Sequence, residues 1–367
     1  MWPECVRTHL RIMENKKIRI VDIARLAEVS PGTVDRVIHN RGRIAPDKKE
    51  RIEKIIQQLG YKPNIAARML AMGRTYVIAV IAPSFVGESY WGMVSEGCIR
   101  AAEELGQGSI KVEFVRFDQY NRKSFDSATT NVDWSQYDGV VIATLFEDQV
   151  RQLSEQLNTI NKPYVYIDSQ VEGANDLAYF GVNAYDSGYI AGKMLCREIS
   201  ADEPIVITHI RFRRNEISTQ MRKRESGFLK YLADVGWNHT VEYIEHDPDN
   251  EPSTIARLKD IAQKSSGNIG IIVLNSRAYE LADFIEKSID ERLRKQIIIV
   301  GFEAIRPNID AMNRGLVHLL ISQRPELQGY NAVKALSNLF MFGNRPNKTN
   351  YTPIDILIPE NIEYYTD

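Results

Sequence analysis

A hydroxyl, a carboxylate, an imidazole and three guanidinium groups stand close together in the stretch Pro31-Gly-Thr-Val-Asp-Arg-Val-Ile-His39-Asn-Arg-Gly-Arg43. They belong to Thr33, Asp35, Arg36, His39, Arg41 and Arg43, while Val34, Val37 and Ile38 recur at helical spacing on another face. Hydroxyls and guanidinium groups bond phosphate oxygens and base edges, and a guanidinium matches the paired acceptors of guanine. The chemistry expected here is recognition of a nucleic acid, not bond making.

Side chains of this kind read bases only if their helix is held proud of a support. The residues before it supply one: a short helix over Ile23–Ala27 with Asp22 capping or flanking it, then a tight turn. Ser30 is a suitable N-cap and Pro31 a suitable first helical residue. Ile23, Ala24, Ala27, Val29, Val34 and Val37 can lock the two helices together. Such a pair leaves its second helix free to enter a major groove. A third helix is expected from Pro46 to Leu59, with Ile52, Ile55, Ile56 and Leu59 on one side and Gly60 ending it.

Charge supports this division. Residues 16–74 carry 14 Lys/Arg against 6 Asp/Glu, whereas the whole chain of 367 residues has a net charge of -2. A basic head on an acidic body fits a head that meets phosphate and a body that does not. Apolar content of 44% and charged content of 26% are ordinary for a globular protein of two or three domains. No apolar run is long enough to span a bilayer, and the first residues lack the pattern of a secretory signal. Three cysteines, Cys5, Cys98 and Cys196, are too scattered for a disulfide framework or a zinc site. A cytoplasmic protein without cofactor or metal is expected.

The stretch Ile20–Leu70, including Tyr61-Lys-Pro-Asn-Ile-Ala-Ala-Arg-Met-Leu70, resembles the head of the lactose-repressor (LacI/GalR) family of transcriptional regulators. The resemblance implies that the last residues form a hinge helix, paired across a homodimer in the minor groove. Asn64, Ala67 and Leu70 would then touch DNA, with Leu70 wedged between base pairs. Two departures follow. Pro31 and Gly32 stand where long polar side chains often read bases, and Glu28 stands at a turn where the family often has Gly. Residues 1–15 precede the motif without periodicity, either as a tail or because the chain starts at Met13. The expected division is 1–15 extension, 16–62 helix-turn-helix domain, 63–74 hinge and 75–367 ligand-binding and dimerisation domain.

From Tyr76 onward apolar β-rich runs alternate with helical stretches. Strands are expected at Tyr76–Ala82, Lys111–Phe117, Gly139–Ala143, Tyr164–Asp168, Ile205–Ile210, Val241–Glu245, Gly270–Leu274 and Ile297–Phe302. Repeated βα units imply parallel sheets with right-handed crossovers. The body resembles the two-lobed α/β fold of periplasmic sugar-binding proteins that the same family carries. That resemblance implies three passages between lobes, near Asn183, Gln323 and Thr349. Lobe 1 would be about 75–183 with 323–348, and lobe 2 about 184–322 with 349–367.

Ligands of open α/β folds sit beyond the carboxyl ends of strands. By resemblance, Tyr90 and Trp91 match an aromatic pair that stacks on a sugar, and Asp168 an acidic position at a strand end. Arg222, before Gly227-Phe228, matches a ligand-binding arginine. Asn275 matches an amide, with Ser276 in place of the usual Asp. Glu303 stands where the family has Asp, and Gln323 matches a residue at the second passage. Carboxylates, amides and a guanidinium suit vicinal hydroxyls, because each can hold two oxygens. The loop Arg211-Phe-Arg-Arg-Asn215 would favour an anionic ligand if it turned inward, although a solvated loop is the simpler reading.

No enzyme constellation is visible: the six histidines lack metal-ligand spacing and there is no Gly-x-Ser-x-Gly elbow. The expectation is a DNA-binding regulator, repressor before activator, controlled by a small carbohydrate effector. The alternative is a sugar-binding protein whose head merely tethers it to DNA.

Overall fold

The computed structural model describes residues 18–38, 44–59, 61, 74–105, 109–210, 218–246, 251–265 and 267–365. The chain divides between Arg74 and Thr75. In the head, α1 (Ile20–Leu26), α2 (Pro31–Ile38) and α3 (Pro46–Gln58) pack around Ile23, Ala24, Ala27, Val34, Val37, Ile52 and Ile55. These are the residues at helical spacing, so the amphipathic pattern alone assembles the bundle. α1 begins earlier than the spacing of apolar residues predicts. Asp22 is not its cap but lies in its first turn, where its carboxylate accepts from the Arg19 amide at 2.9 Å. Between α1 and α2, Glu28 adopts φ 53, a left-handed conformation that usually favours glycine.

In the body, the strands form two six-stranded sheets of the same strand order. The first contains β1 (Tyr76–Pro83), β2 (Ile110–Phe117), β3 (Gly139–Ala143), β4 (Tyr164–Ile167), β5 (Ala178–Gly181) and β11 (Thr349–Tyr351), ordered β11-β5-β4-β3-β1-β2. The second contains β6 (Ile205–Ile210), β7 (Val241–His246), β8 (Ile269–Val273), β9 (Ile297–Phe302), β10 (Leu319–Ser322) and β12 (Asp355–Leu357), ordered β12-β10-β9-β8-β6-β7. Pairing is parallel except between β10 and β12. β3, β6 and β8 are buried throughout, as unbroken apolar runs require when helices cover both faces. β2 and β7 lie at sheet edges and are half-exposed, which explains their interspersed charges.

The chain leaves the first sheet after Gly181 and returns after Ser322 through the helix Pro325–Phe342, whose Leu336 and Phe340 pack beneath Gly139. The third passage is a correction to the expected position. Thr349–Tyr351 still pairs with β5 in the first lobe, and the crossing lies between Tyr351 and Asp355. In the second lobe, the helix Ala184–Glu198 lies directly on the helix Thr219–Asp234. A Cβ on Gly188 would fall 1.8 Å from the Arg224 carbonyl oxygen, and one on Gly227 would fall 1.9 Å from that of Tyr185. Gly97 and Gly329 make the corresponding close approach in the first lobe. The two helices can touch backbone to backbone only because both positions lack side chains.

Candidate functional site

The two sheets point the carboxyl ends of their strands at one cavity of about 550 Å³. From the first lobe it is lined by Ser84 and Phe85 beyond β1, Asp118 and Tyr120 beyond β2, Leu145 beyond β3 and Asp168 beyond β4. The second lobe contributes His209 and Ile210 at the end of β6, Asn275 to Arg277 beyond β8, Glu303 beyond β9 and Gln323 beyond β10. In both lobes β1 or β6 is flanked by strands that run on in opposite directions through the sheet, the switch point where such folds bind ligands.

Two helix starts complete the wall. Ser89 caps the helix Tyr90–Glu104, its hydroxyl accepting from the Gly92 amide at 3.3 Å, and this puts Tyr90 and Trp91 in the first turn beside the cavity. Their rings meet edge to face at 4.8 Å, and both are buried. Ser218 caps the helix Thr219–Asp234 in the same way, accepting from the Met221 amide at 3.2 Å. Gln220 and Arg224, four residues apart, share its inward face.

Asp168 and Glu303 stand at equivalent places, each following the fourth strand from its sheet's β2 or β7 edge within the strand order. Both have left-handed backbones, with φ 77 and 70, and both are buried. Glu303 accepts from Arg224 Nη2 at 3.3 Å and from the Gln323 amide at 3.3 Å. Asn308, fully buried, donates to the carbonyls of Phe302 and Glu303, both at 2.9 Å, and so clamps this strained turn. Arg224 also donates to the Leu274 carbonyl at 2.7 Å and lies over the Phe302 ring at 3.9 Å, while its Nε is buried without a partner. Asp168 accepts from the Tyr90 hydroxyl at 3.2 Å and the Ser169 hydroxyl at 3.3 Å.

Burial dominates the electrostatics. It pushes the Asp168 carboxyl up to about 6 and Glu303 to about 7, against the attraction of Arg224, and it lowers Arg224 in turn. The Tyr90 hydroxyl is raised by burial and by the neighbouring Asp168.

The lobes touch across the cavity. Gln220 Nε2 of the second lobe lies 3.4 Å from the Asp168 carbonyl of the first, and 3.1 Å from Gln323 Oε1 within its own lobe. Thr219 donates to Glu147 at 3.5 Å, and the Arg277 guanidinium both bonds the Tyr120 hydroxyl and lies 5.2 Å from that ring's centre. Thr352, on the third passage, donates to the Gln323 carbonyl at 3.0 Å, tying two crossing segments together.

Of the expected cavity residues, Tyr90, Trp91, Asp168, Asn275, Glu303 and Gln323 come together here. Arg222 does not. It is exposed, and its guanidinium donates to Thr219 at 2.9 Å. Arg224 lines the cavity instead. The run Met221-Arg-Lys-Arg224 offers two arginines, but only Arg224 precedes the buried Gly227 and Phe228 by three and four residues, which places it on their face. That spacing was the available signal. Asn275 lines the wall, yet its amide is engaged with the Ile210 carbonyl at 3.4 Å and the Arg277 amide at 3.1 Å, so it shapes the loop. Tyr120, Gln220, Arg277 and Asn308 were not expected.

On the head, Ser30 accepts from the Thr33 amide at 3.2 Å and fixes the start of α2. Pro31, Gly32 and Arg36 are exposed and Thr33 and Asp35 half-buried, with Arg36 Nε donating to the Gly32 carbonyl at 3.2 Å. His39, Arg41, Arg43, Asn64, Ala67, Leu70 and the loop Arg211–Asn215 lie outside the described residues. Among the described residues no cluster of His, Cys, Asp and Glu could hold a metal, and no helix is long and apolar enough to cross a membrane. The cavity's paired acceptors and donors suit a small polyhydroxylated molecule held from both sides.

Comparison with known proteins agrees with both parts. Residues 19–64 match the model of bacterial regulatory proteins of the lacI family, and residues 78–344 match the periplasmic binding protein domain. The chain is 30% identical over 141 residues to the HTH-type transcriptional regulator DegA of Bacillus subtilis, a match spanning 38% of this chain and 40% of that protein. It is 24% identical over 295 residues to the NTD biosynthesis operon regulator NtdR of Bacillus subtilis, spanning 77% of this chain and 82% of that protein. Among solved structures, a protein from Bacteroides fragilis assigned as a LacI transcriptional regulator superposes with a TM-score of 0.72. It is 29% identical, and the match covers 80% of this chain and 100% of that one. A transporter solute binding protein from Agrobacterium vitis, solved with α-D-tagatopyranose, shares the fold with a TM-score of 0.66 at 19% identity, over 78% of this chain and 96% of that one.

Proposed function

Because the chain belongs to the lacI family of bacterial regulatory proteins and carries a periplasmic binding protein domain behind its head, we propose that it is a cytoplasmic transcriptional regulator. In this reading it binds an operator as a homodimer, and a small carbohydrate in the interlobe cavity sets its affinity for DNA. It works by binding and not by catalysis. The observation that carries the reading is the cavity itself: two buried carboxylates, a buried guanidinium and two amide side chains converge between lobes that already touch. Such groups can bond several hydroxyls at once, and the Tyr90 and Trp91 rings supply the flat apolar surface that a sugar's carbon face prefers.

The head supplies the other half. Thr33, Asp35 and Arg36 on α2 would meet the major groove, with His39, Arg41 and Arg43 beyond it on the same basic segment. Asn64, Ala67 and Leu70 would meet the minor groove, Leu70 as the wedge. A ligand changes operator affinity only by its preference for one lobe arrangement over another. The ties between Gln220 and Asp168, and between Arg277 and Tyr120, belong to the arrangement in which the lobes touch. A ligand bonded to both walls favours that arrangement. Repression is the direction favoured by the family.

The test is selection of a binding site from random DNA with the full chain, followed by titration with and without a carbohydrate identified by thermal shift. Leu70→Gly is expected to weaken the selected site at least tenfold while leaving the thermal shift intact. Undiminished DNA binding by this variant would remove the wedge. No selected site at all would leave the DNA-reading half of the proposal untenable.

A further inference from the structure

The charges in the cavity do not balance, and Asp168 is where the imbalance sits. The lining residues include three carboxylates, Asp118, Asp168 and Glu303, against the guanidinium groups of Arg224 and Arg277. Arg277 lies 3.5 Å from Glu280, a carboxylate that already pairs with it. Arg224 spends Nη2 on Glu303 and Nη1 on the Leu274 carbonyl. Asp168 has hydroxyls from Tyr90 and Ser169, but no cationic nitrogen among the described residues is an ion-pair partner for it.

A buried carboxylate that lacks a cation is costly, and proteins retain one where something else supplies the charge. The backbone reinforces the point. Asp168 is held at φ 77, a strained conformation for a residue with a side chain, and its carboxylate lies at the cavity wall instead of turning to solvent. The Tyr90 hydroxyl fixes one oxygen, and both oxygens retain lone pairs for a further donor.

We propose that the group recognised at Asp168 is a protonated amine, which makes the effector an amino sugar. This rests on the carbohydrate reading above and narrows it. The ammonium supplies the missing positive charge to Asp168, and its sugar hydroxyls meet Glu303, Gln220 and Gln323 from the second lobe. Bridging the two walls in this way couples the charge to lobe closure. A neutral sugar would leave Asp168 without its cation, and a sugar acid would place a second carboxylate beside it.

The test is a thermal-shift and calorimetric comparison on the full chain with matched sets of sugars. Each set contains a 2-amino, 3-amino or 6-amino deoxyhexose of gluco, galacto or manno configuration, its parent hexose, its N-acetyl derivative and the corresponding sugar acid. At least one amino sugar is expected to bind tenfold or more tightly than its parent and its N-acetyl derivative. Asp168→Asn, tested for folding by circular dichroism, is expected to abolish that preference. A parent hexose or sugar acid that binds as tightly as its amine, or a preference that survives Asp168→Asn, overturns the proposal and leaves the carbohydrate reading standing. Stabilisation by none of the sugars overturns both.

Discussion

The carboxylate that makes Asp168 useful should make the empty protein less stable, and the cost can be worked out. Burial raises this group from 3.8 to about 6. A carboxyl raised on folding is most favourable to the native state when protonated. Its contribution is fully present below its unfolded value and is lost as pH rises through its folded value. A shift of about 2 units corresponds to about 3 kcal/mol lost by pH 8. Asp168→Asn should recover most of it. Asparagine tolerates a left-handed backbone, its oxygen can accept from Tyr90 and its amide can donate to Ser169. Relative to the parent, the variant should therefore gain about 2 kcal/mol of stability between pH 4 and 8, more than half of it above pH 5. The assay is urea unfolding of the ligand-free chain at several pH values, followed by tryptophan fluorescence. Comparing variant with parent at each pH cancels the groups they share. A flat difference across this range, or a variant less stable than the parent at pH 8, would show that the charge of Asp168 is already compensated and refute the argument. Confirmation would mark a residue kept for binding at the expense of stability.

The remaining predictions separate neighbouring residues. Arg224→Ala should abolish the ligand response and destabilise the body by about 3–5 kcal/mol, because it leaves Glu303 buried without its cation; Arg222→Ala should leave both unchanged by the same titration and urea measurements. Gly188→Ala should cost about 1–3 kcal/mol and weaken ligand binding, since the new methyl forces back the helix that carries Gln220 and Arg224; unchanged affinity would separate that contact from the site. Glu28→Gly should stabilise the head by about 1 kcal/mol in thermal unfolding, by relieving the left-handed backbone at the loss of only an exposed ion pair with Arg51.

Different parts of the molecule were legible for different reasons. The helix pair of the head rests on contacts between residues only a few turns apart, so Val34 and Val37 announce their inward face directly. The long strands are buried on both faces, and runs such as Val-Val-Ile-Ala in β3 follow from that. The short strands β5, β10, β11 and β12 have only three or four residues each, too few to set a period. With β11 unreadable, the sequence puts the third passage a few residues early. The error at Arg222 has a similar origin, since two arginines two residues apart look alike until the helix face is fixed by Gly227 and Phe228.

Asp168 and Glu303 could be read as polar residues at strand ends, but their shared left-handed backbones and equivalent places in two like sheets could not. The sequence by itself determined the basic head, its clamped second helix, the repeated βα body and six of the residues around the cavity. Local periodicity and strand-end position encode these. Only the tertiary structure decided that Arg224 pairs with Glu303, that Asp168 has no ion-pair partner among the described residues, and that Tyr120 meets Arg277 from the opposite lobe. Those relations join residues far apart in the chain, and they exist only once two separately wound sheets face each other.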